Sequence, residues 1–135
     1  MVRIGVLGVG TVGRAVVEIL NENKEIITAR SGEEIVVKSG VVRDVSKIAD
    51  LDIMVGLDPY TLVNDPEIDI VVELMGGIEL PFELHKIALK NGKAVVTANK
   101  ALLAYHRYEL QEIAGNIPFE FEASVAGGIP IINAL

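Results

Sequence analysis

Three glycines, spaced as Gly8-Val9-Gly10-Thr11-Val12-Gly13, stand between an apolar run and a helical pattern, and they carry the most chemistry in the chain. In that setting the first glycine permits a tight turn, the second lets a pyrophosphate approach the backbone, and the third lets helix and strand pack closely. The following helix adds N–H groups and the positive end of its dipole, so a dinucleotide is expected there. The bland alternative, a glycine-rich turn with no ligand, is disfavoured by the strand and helix flanks. Arg43-Asp44 closes a second apolar run. An acidic residue at that place takes ribose hydroxyls and an arginine accommodates a 2′-phosphate, so NAD and NADP both stay open. A plain Arg43–Asp44 pair at a solvated strand end stays open as well.

Ligands of open α/β sheets collect outside the carboxyl ends of the strands, which singles out three more segments, 74–78, 97–100 and 122–130. Gly76-Gly77 permits close backbone approach to a cofactor, or is an ordinary strand-to-helix turn. Lys100, directly after a strand that ends at Thr97, suits a carboxylate or developing charge on a carbonyl oxygen; a solvated lysine is the alternative. Glu122 ends another strand, where a carboxylate and nearby carbonyls can bind a cation, with a salt bridge or helix-terminus role equally open. His85 and His106 fall on helical patterns away from these strand ends and read as surface or boundary residues. No Ser-His-Asp arrangement or metal-ligand spacing stands out.

Residues 2–9 form a nearly continuous apolar run closed by glycine, too short for a helix, and read as a strand buried on both faces. Val12, Val16, Ile19 and Leu20 then follow helical spacing, with a stop expected near 21–23. Polar residues 24–34 are expected to connect to a strand at 35–42. Residues 45–64 are the least legible, with a short helix near 46–49 and a turn after Pro59. A third strand is expected at 68–74, then a helix from Pro81 to the Asn91-Gly92 stop, with Phe82, His85, Ala88 and Leu89 on one face. Strands at 93–97 and 118–122 flank a helix at 100–114, and Pro130 opens one more helix. That last pattern, with Ile131, Ile132, Ala134 and Leu135 apolar and uncapped, is expected to be cut short, so the chain reads as a fragment of a longer protein. Alternating strands and helices imply an α/β fold, a Rossmann-like, doubly wound, mainly parallel sheet with helices on both faces.

The whole chain, 1–135, is expected to be one domain, since 135 residues, half of them apolar, suffice for one core and leave no room for a second. No cysteine is present, which removes disulfides, thiolate zinc sites and thioester-forming aldehyde oxidation, and fits a reducing, cytoplasmic setting. Twelve basic residues against 19 acidic ones leave a net charge of −7, the wrong sign for a partner of nucleic acid. No apolar run reaches the roughly 18 residues of a membrane span, so no membrane partner is expected.

Four segments taken in order, 5–13 (GVLGVGTVG), 65–77 (DPEIDIVVELMGG), 96–104 (VTANKALLA) and 121–132 (FEASVAGGIPII), resemble homoserine dehydrogenase. The likeness runs from end to end of the chain, covers the cofactor domain of that family, and rests most on the last two motifs. It implies reversible NAD(P)-dependent reduction of aspartate 4-semialdehyde to homoserine, on the route to threonine and methionine. It implies backbone contacts to the dinucleotide from Thr11 and Val12 within the loop at Gly8, Gly10 and Gly13, and an adenosine-side role for Arg43. Thr97 and Lys100 would lie beside the nicotinamide, with Lys100 orienting the substrate or its oxygen charge and the main proton donor lying in a domain beyond this chain. A monovalent cation such as sodium would be held by Glu122 and the carbonyls of Val125, Gly127 and Ile129. The resemblance also implies a small amino-acid substrate and a homo-oligomeric parent. A reading from another class, a stand-alone Rossmann-like nucleotide-sensing regulatory module, shares the glycine fingerprint but needs neither Lys100 nor the 122–130 motif.

Overall fold

The computed structural model describes residues 1–42, 54–56 and 58–121. Its elements are β1 (Val2–Leu7), α1 (Thr11–Glu22), α2 (Lys24–Ser31), β2 (Ile35–Val41), β3 (Met54–Gly56), α3 (Pro59–Val63), β4 (Ile70–Glu73), α4 (Glu79–Lys90), β5 (Ala94–Thr97), α5 (Lys100–Ala114) and β6 (Phe119–Phe121). The strands form one six-stranded sheet in the order β3-β2-β1-β4-β5-β6 with every described pairing parallel. The strand order runs outward in both directions from the β1–β4 pair, as in a doubly wound Rossmann-like sheet, and that pair marks the switch point.

Side chains along a strand alternate between faces, and here the alternation sorts the core into two layers. Ile4 and Val6 of β1, Ile70 and Val72 of β4 and Val96 of β5 meet Val16, Val17 and Leu20 of α1. The intervening Leu7, Val71 and Val95 meet Leu62 and Val63 of α3, Leu84, Ala88 and Leu89 of α4, and Leu102 and Leu110 of α5. The same period carries Glu73, last residue of β4, and Thr97, last residue of β5, onto the α4 side; both are fully buried. Of the stripe expected on α1, Val16 and Leu20 are in the core and Ile19 is half-buried, while the side chain of Val12 is outside the described set.

Several expectations are corrected. Residues 24–31 are a helix, not a connector: they carry no apolar stripe, and α2 is held by local terms, with Glu25 in its first turn, Arg30 in its last and Gly32 closing it at φ 75°. The turn after Pro59 is the short helix α3, started by Asp58, whose carboxylate accepts from Tyr60 N–H at 2.9 Å. The three-residue β3 was not foreseen, because it is too short to show a period. Helix α4 begins two residues before Pro81, which sits in the first turn where a missing N–H costs no helical bond. Helix α5 spans the expected residues, β1, β2, β4 and β5 are each shorter than expected by one to three residues, and β6 begins one residue later than expected, at Phe119, with its expected end at Glu122 outside the described residues. Lys93 is not in β5 but is buried beside it, donating to the Asp65 and Ile68 carbonyls. Burial is the main reason its ammonium pKa is lowered. The short helix near 46–49 and the helix after Pro130 fall outside the described residues. Among the described residues no helix is long and apolar enough to cross a membrane.

Candidate functional site

At the carboxyl end of β1 the three glycines do three different things. Gly8 has φ 91°, and a Cβ there would lie 3.0 Å from the Leu74 carbonyl, so this is where the loop after β1 touches the loop after β4. The two loops are also joined by Leu74 N–H donating to Leu7 O at 2.8 Å. At Gly13 a Cβ would stand 2.6 Å from Gly8 O, inside any tolerated contact, so only glycine lets α1 start this close to β1. At Gly10, by contrast, a Cβ would meet none of the described atoms within 4 Å. The space above Gly10 is open, and it faces the start of α1, whose first-turn N–H groups at Thr11, Val12 and Gly13 have no acceptor within the helix. Gly10 is the N-cap and has no side chain to occupy them, and the first turn carries no acidic residue. The arrangement fits a pyrophosphate.

Across the switch point, the loop after β4 is held by side chains. Glu73 Oε2 accepts from Met75 N–H at 2.7 Å, and Oε1 accepts from the Thr97 hydroxyl at 3.0 Å and lies 2.8 Å from His85 Nε2. Thr97 Oγ1 in turn accepts from Asn99 N–H at 3.0 Å, and the Asn99 amide donates to Gly77 O at 2.8 Å. Asn99 Oδ1 caps α5 by accepting from Leu102 N–H at 3.1 Å. Burial pushes the Glu73 carboxyl up, but the hydrogen bond and charge of the His85 ring, together with the donors on Met75 and Thr97, outweigh it and hold the group below the usual carboxylate range. Gly76 and Gly77 take φ 82° and 84° with open space in front of them, so the backbone there is exposed to a ligand.

Lys100 follows the Asn99 cap as the first residue of α5. Its side chain is exposed and, among the described residues, makes no ion pair, so its charge is free for a ligand. Thr97 ends β5 fully buried, its hydroxyl bonded to Glu73. The structure therefore brings together Gly8, Gly10, Thr11, Val12, Gly13, Gly76, Gly77, Thr97 and Lys100 at one end of the sheet. Arg43 and Asp44 lie outside the described residues, as do Glu122, Val125, Gly127 and Ile129. Among the described residues no group of three or more His, Asp or Glu side chains is placed to hold a metal. A groove of about 830 Å³ lined by Met1, Glu33, Asp69, Lys93 and Asn116 lies at the opposite, amino end of the strands and contains none of these residues.

His85 is the clearest correction. It is 1% exposed and bonded to a strand-end carboxylate, not a surface or boundary residue away from the strand ends. His106 is half-buried, stacked on Phe82 at 3.7 Å and bonded to Glu109. Sequence reasoning also passed over Glu73 and Asn99. The available signal was an acidic residue ending an otherwise apolar strand, Ile70-Val71-Val72-Glu73, with a second polar strand end at Thr97.

The family model of the homoserine dehydrogenase NAD binding domain matches residues 8–117, from the first glycine of the loop to beyond α5. The chain belongs to this family. The homoserine dehydrogenase of Helicobacter pylori is 58% identical over 132 residues, which are 98% of this chain and 31% of that protein. That of Neisseria gonorrhoeae is 43% identical over 140 residues, 99% of this chain and 32% of the relative. The solved homoserine dehydrogenase of Thiobacillus denitrificans superposes with a TM-score of 0.87 at 47% identity, over 98% of this chain and 32% of that one. A biliverdin reductase from Synechocystis at 22% identity and TM-score 0.72 shares the fold alone. The chain thus spans about a third of the length of the homoserine dehydrogenases it matches. Membership in this family does not favour the stand-alone regulatory module.

Proposed function

We propose that this chain is the dinucleotide-binding part of an oxidoreductase that interconverts aspartate 4-semialdehyde and homoserine, in threonine and methionine synthesis. The observation that carries the reading is the open space over Gly10 in front of uncapped N–H groups, inside a chain that belongs to the homoserine dehydrogenase NAD-binding family. When bound, NAD(P) supplies a carbon that accepts or donates hydride. The first-turn amides of α1 hold the pyrophosphate, and Gly8 and Gly13 keep that turn tight enough to present them. The backbone at Gly76, Gly77 and Thr97 forms the wall on the nicotinamide side. Lys100 orients the substrate and stabilises negative charge on its carbonyl oxygen, an electrostatic task for an exposed ammonium with no ion pair among the described residues. Arg43 is assigned to the adenosine side, and Glu122 with the carbonyls of Val125, Gly127 and Ile129 to a monovalent cation. The main proton donor and most of the substrate pocket are assigned to the rest of a longer, homo-oligomeric, cytoplasmic protein.

The test uses the longest natural protein that carries this sequence. Homoserine-dependent reduction of NADP or NAD, followed by nicotinamide absorbance, is expected, and Lys100→Ala is expected to lower kcat about 100-fold with unchanged thermal unfolding. Absence of homoserine-dependent reduction in folded protein would overturn the substrate assignment.

A further inference from the structure

Glu73 is a fully buried carboxylate that the proposed chemistry does not use, and its hydrogen bonds form a closed circuit between two loops. One oxygen takes the Met75 N–H of the loop after β4; the other takes the Thr97 hydroxyl at the end of β5. Thr97 then takes the Asn99 N–H, and Asn99 returns to the first loop through Gly77 O. β4 and β5 are paired with Glu73 directly opposite Thr97, so the circuit spans neighbouring strand ends at their carboxyl side. His85 reaches in from α4 to the same oxygen as Thr97, and its buried Nδ1 has no partner among the described residues.

We infer that Glu73 is a positioning residue for the nicotinamide end of the site, fixing the backbone at residues 75–77 and 97–99 relative to each other through Thr97 and Asn99, with His85 as its anchor on α4. The inference rests on the dinucleotide reading above. The glycine loop after β1 is not in the circuit, so breaking the circuit should affect what the nicotinamide touches and leave the pyrophosphate and adenosine end alone. Gly76 and Gly77 explain why such a device is needed: two consecutive glycines at positive φ, with none of the described atoms within 4 Å of where a Cβ would stand, gain no hold from side-chain packing.

The test measures binding of NADPH and NADH, and of ADP-ribose and 2′-phospho-ADP-ribose, which lack nicotinamide, to the wild-type chain and to Glu73→Gln, Thr97→Val and Thr97→Ser. Glu73→Gln keeps the shape but offers an N–H₂ that cannot satisfy every donor around it; Thr97→Val removes the hydroxyl at equal size; Thr97→Ser restores it. The expected result is about tenfold weaker dinucleotide binding in Glu73→Gln and Thr97→Val, recovery in Thr97→Ser, and nicotinamide-free fragments bound within about twofold of wild type throughout. In the ligand-free chain, amide exchange at Met75 and Asn99 should quicken in Thr97→Val more than at Gly13. Should Glu73→Gln fail to fold, the Thr97 pair carries the comparison. Equal weakening of dinucleotide and fragment, or unchanged dinucleotide binding, would overturn the positioning role while leaving the binding reading intact. A folded wild-type chain that binds neither dinucleotide nor fragment would overturn both.

Discussion

Between β1 and α1 the chain shapes the crevice by leaving side chains out, whereas after β4 and β5 it does so by burying them. Around Gly8, Gly10 and Gly13 the geometry follows from backbone angles and clearances: one positive φ, one open space and one contact too close for a Cβ. On the other side of the switch point, Glu73, Thr97, Asn99 and His85 hold the loop that carries Gly76 and Gly77. The contrast suits the two ends of a dinucleotide. A pyrophosphate is recognised by bare N–H groups and needs room, while a ring that must meet a substrate needs a wall set to a fraction of an ångström.

The comparison breaks first at its buried end. Glu73→Ala strips an acceptor from Met75, Thr97 and His85 at once and should cost about 3–5 kcal/mol in urea unfolding, as removal of one partner from a buried polar cluster does. Gly13→Ala comes next: its Cβ meets Gly8 O, and repacking the start of α1 should cost about 1–3 kcal/mol by the same measurement and weaken dinucleotide binding with it. Acid titration of stability separates the two ends further. The Glu73 carboxyl is held below its ordinary 4.5, so its contribution is complete above that value in the unfolded chain and is lost as pH falls through the lower folded value. Melting temperature followed downward from pH 5 should therefore fall more steeply in the wild-type chain than in Glu73→Gln. Gly10→Val and Lys100→Ala should each change stability by no more than about 0.5 kcal/mol, since one points into open space and the other is exposed.

The glycine side of the crevice was legible in the sequence because its logic is local. A strand, three glycines at fixed spacing and a helix lie within about 20 consecutive residues, and the structure has them in that order, with β1 ending two residues earlier than expected. The parallel sheet was legible for a similar reason, through short apolar runs alternating with helical spacing. The other side depends on residues 12 to 24 positions apart that meet only because β4 pairs with β5 and α4 lies across their ends. No periodicity in the sequence announces such a meeting, and His85, read from its helical stripe alone, looks like one more boundary residue. Helix α2 was missed for another cause. It has no apolar face to detect, and its local support is the Gly32 cap with Glu25 in its first turn and Arg30 in its last.

The most direct test of the contrast is calorimetric titration of the chain and of Gly10→Val with NADPH and NADH. Saturable binding of at least one dinucleotide to the wild-type chain, weakened at least 100-fold in a variant that melts at the same temperature, is the predicted result. Equal binding by Gly10→Val would contradict the account, because the space above Gly10 would then not be where the dinucleotide lies.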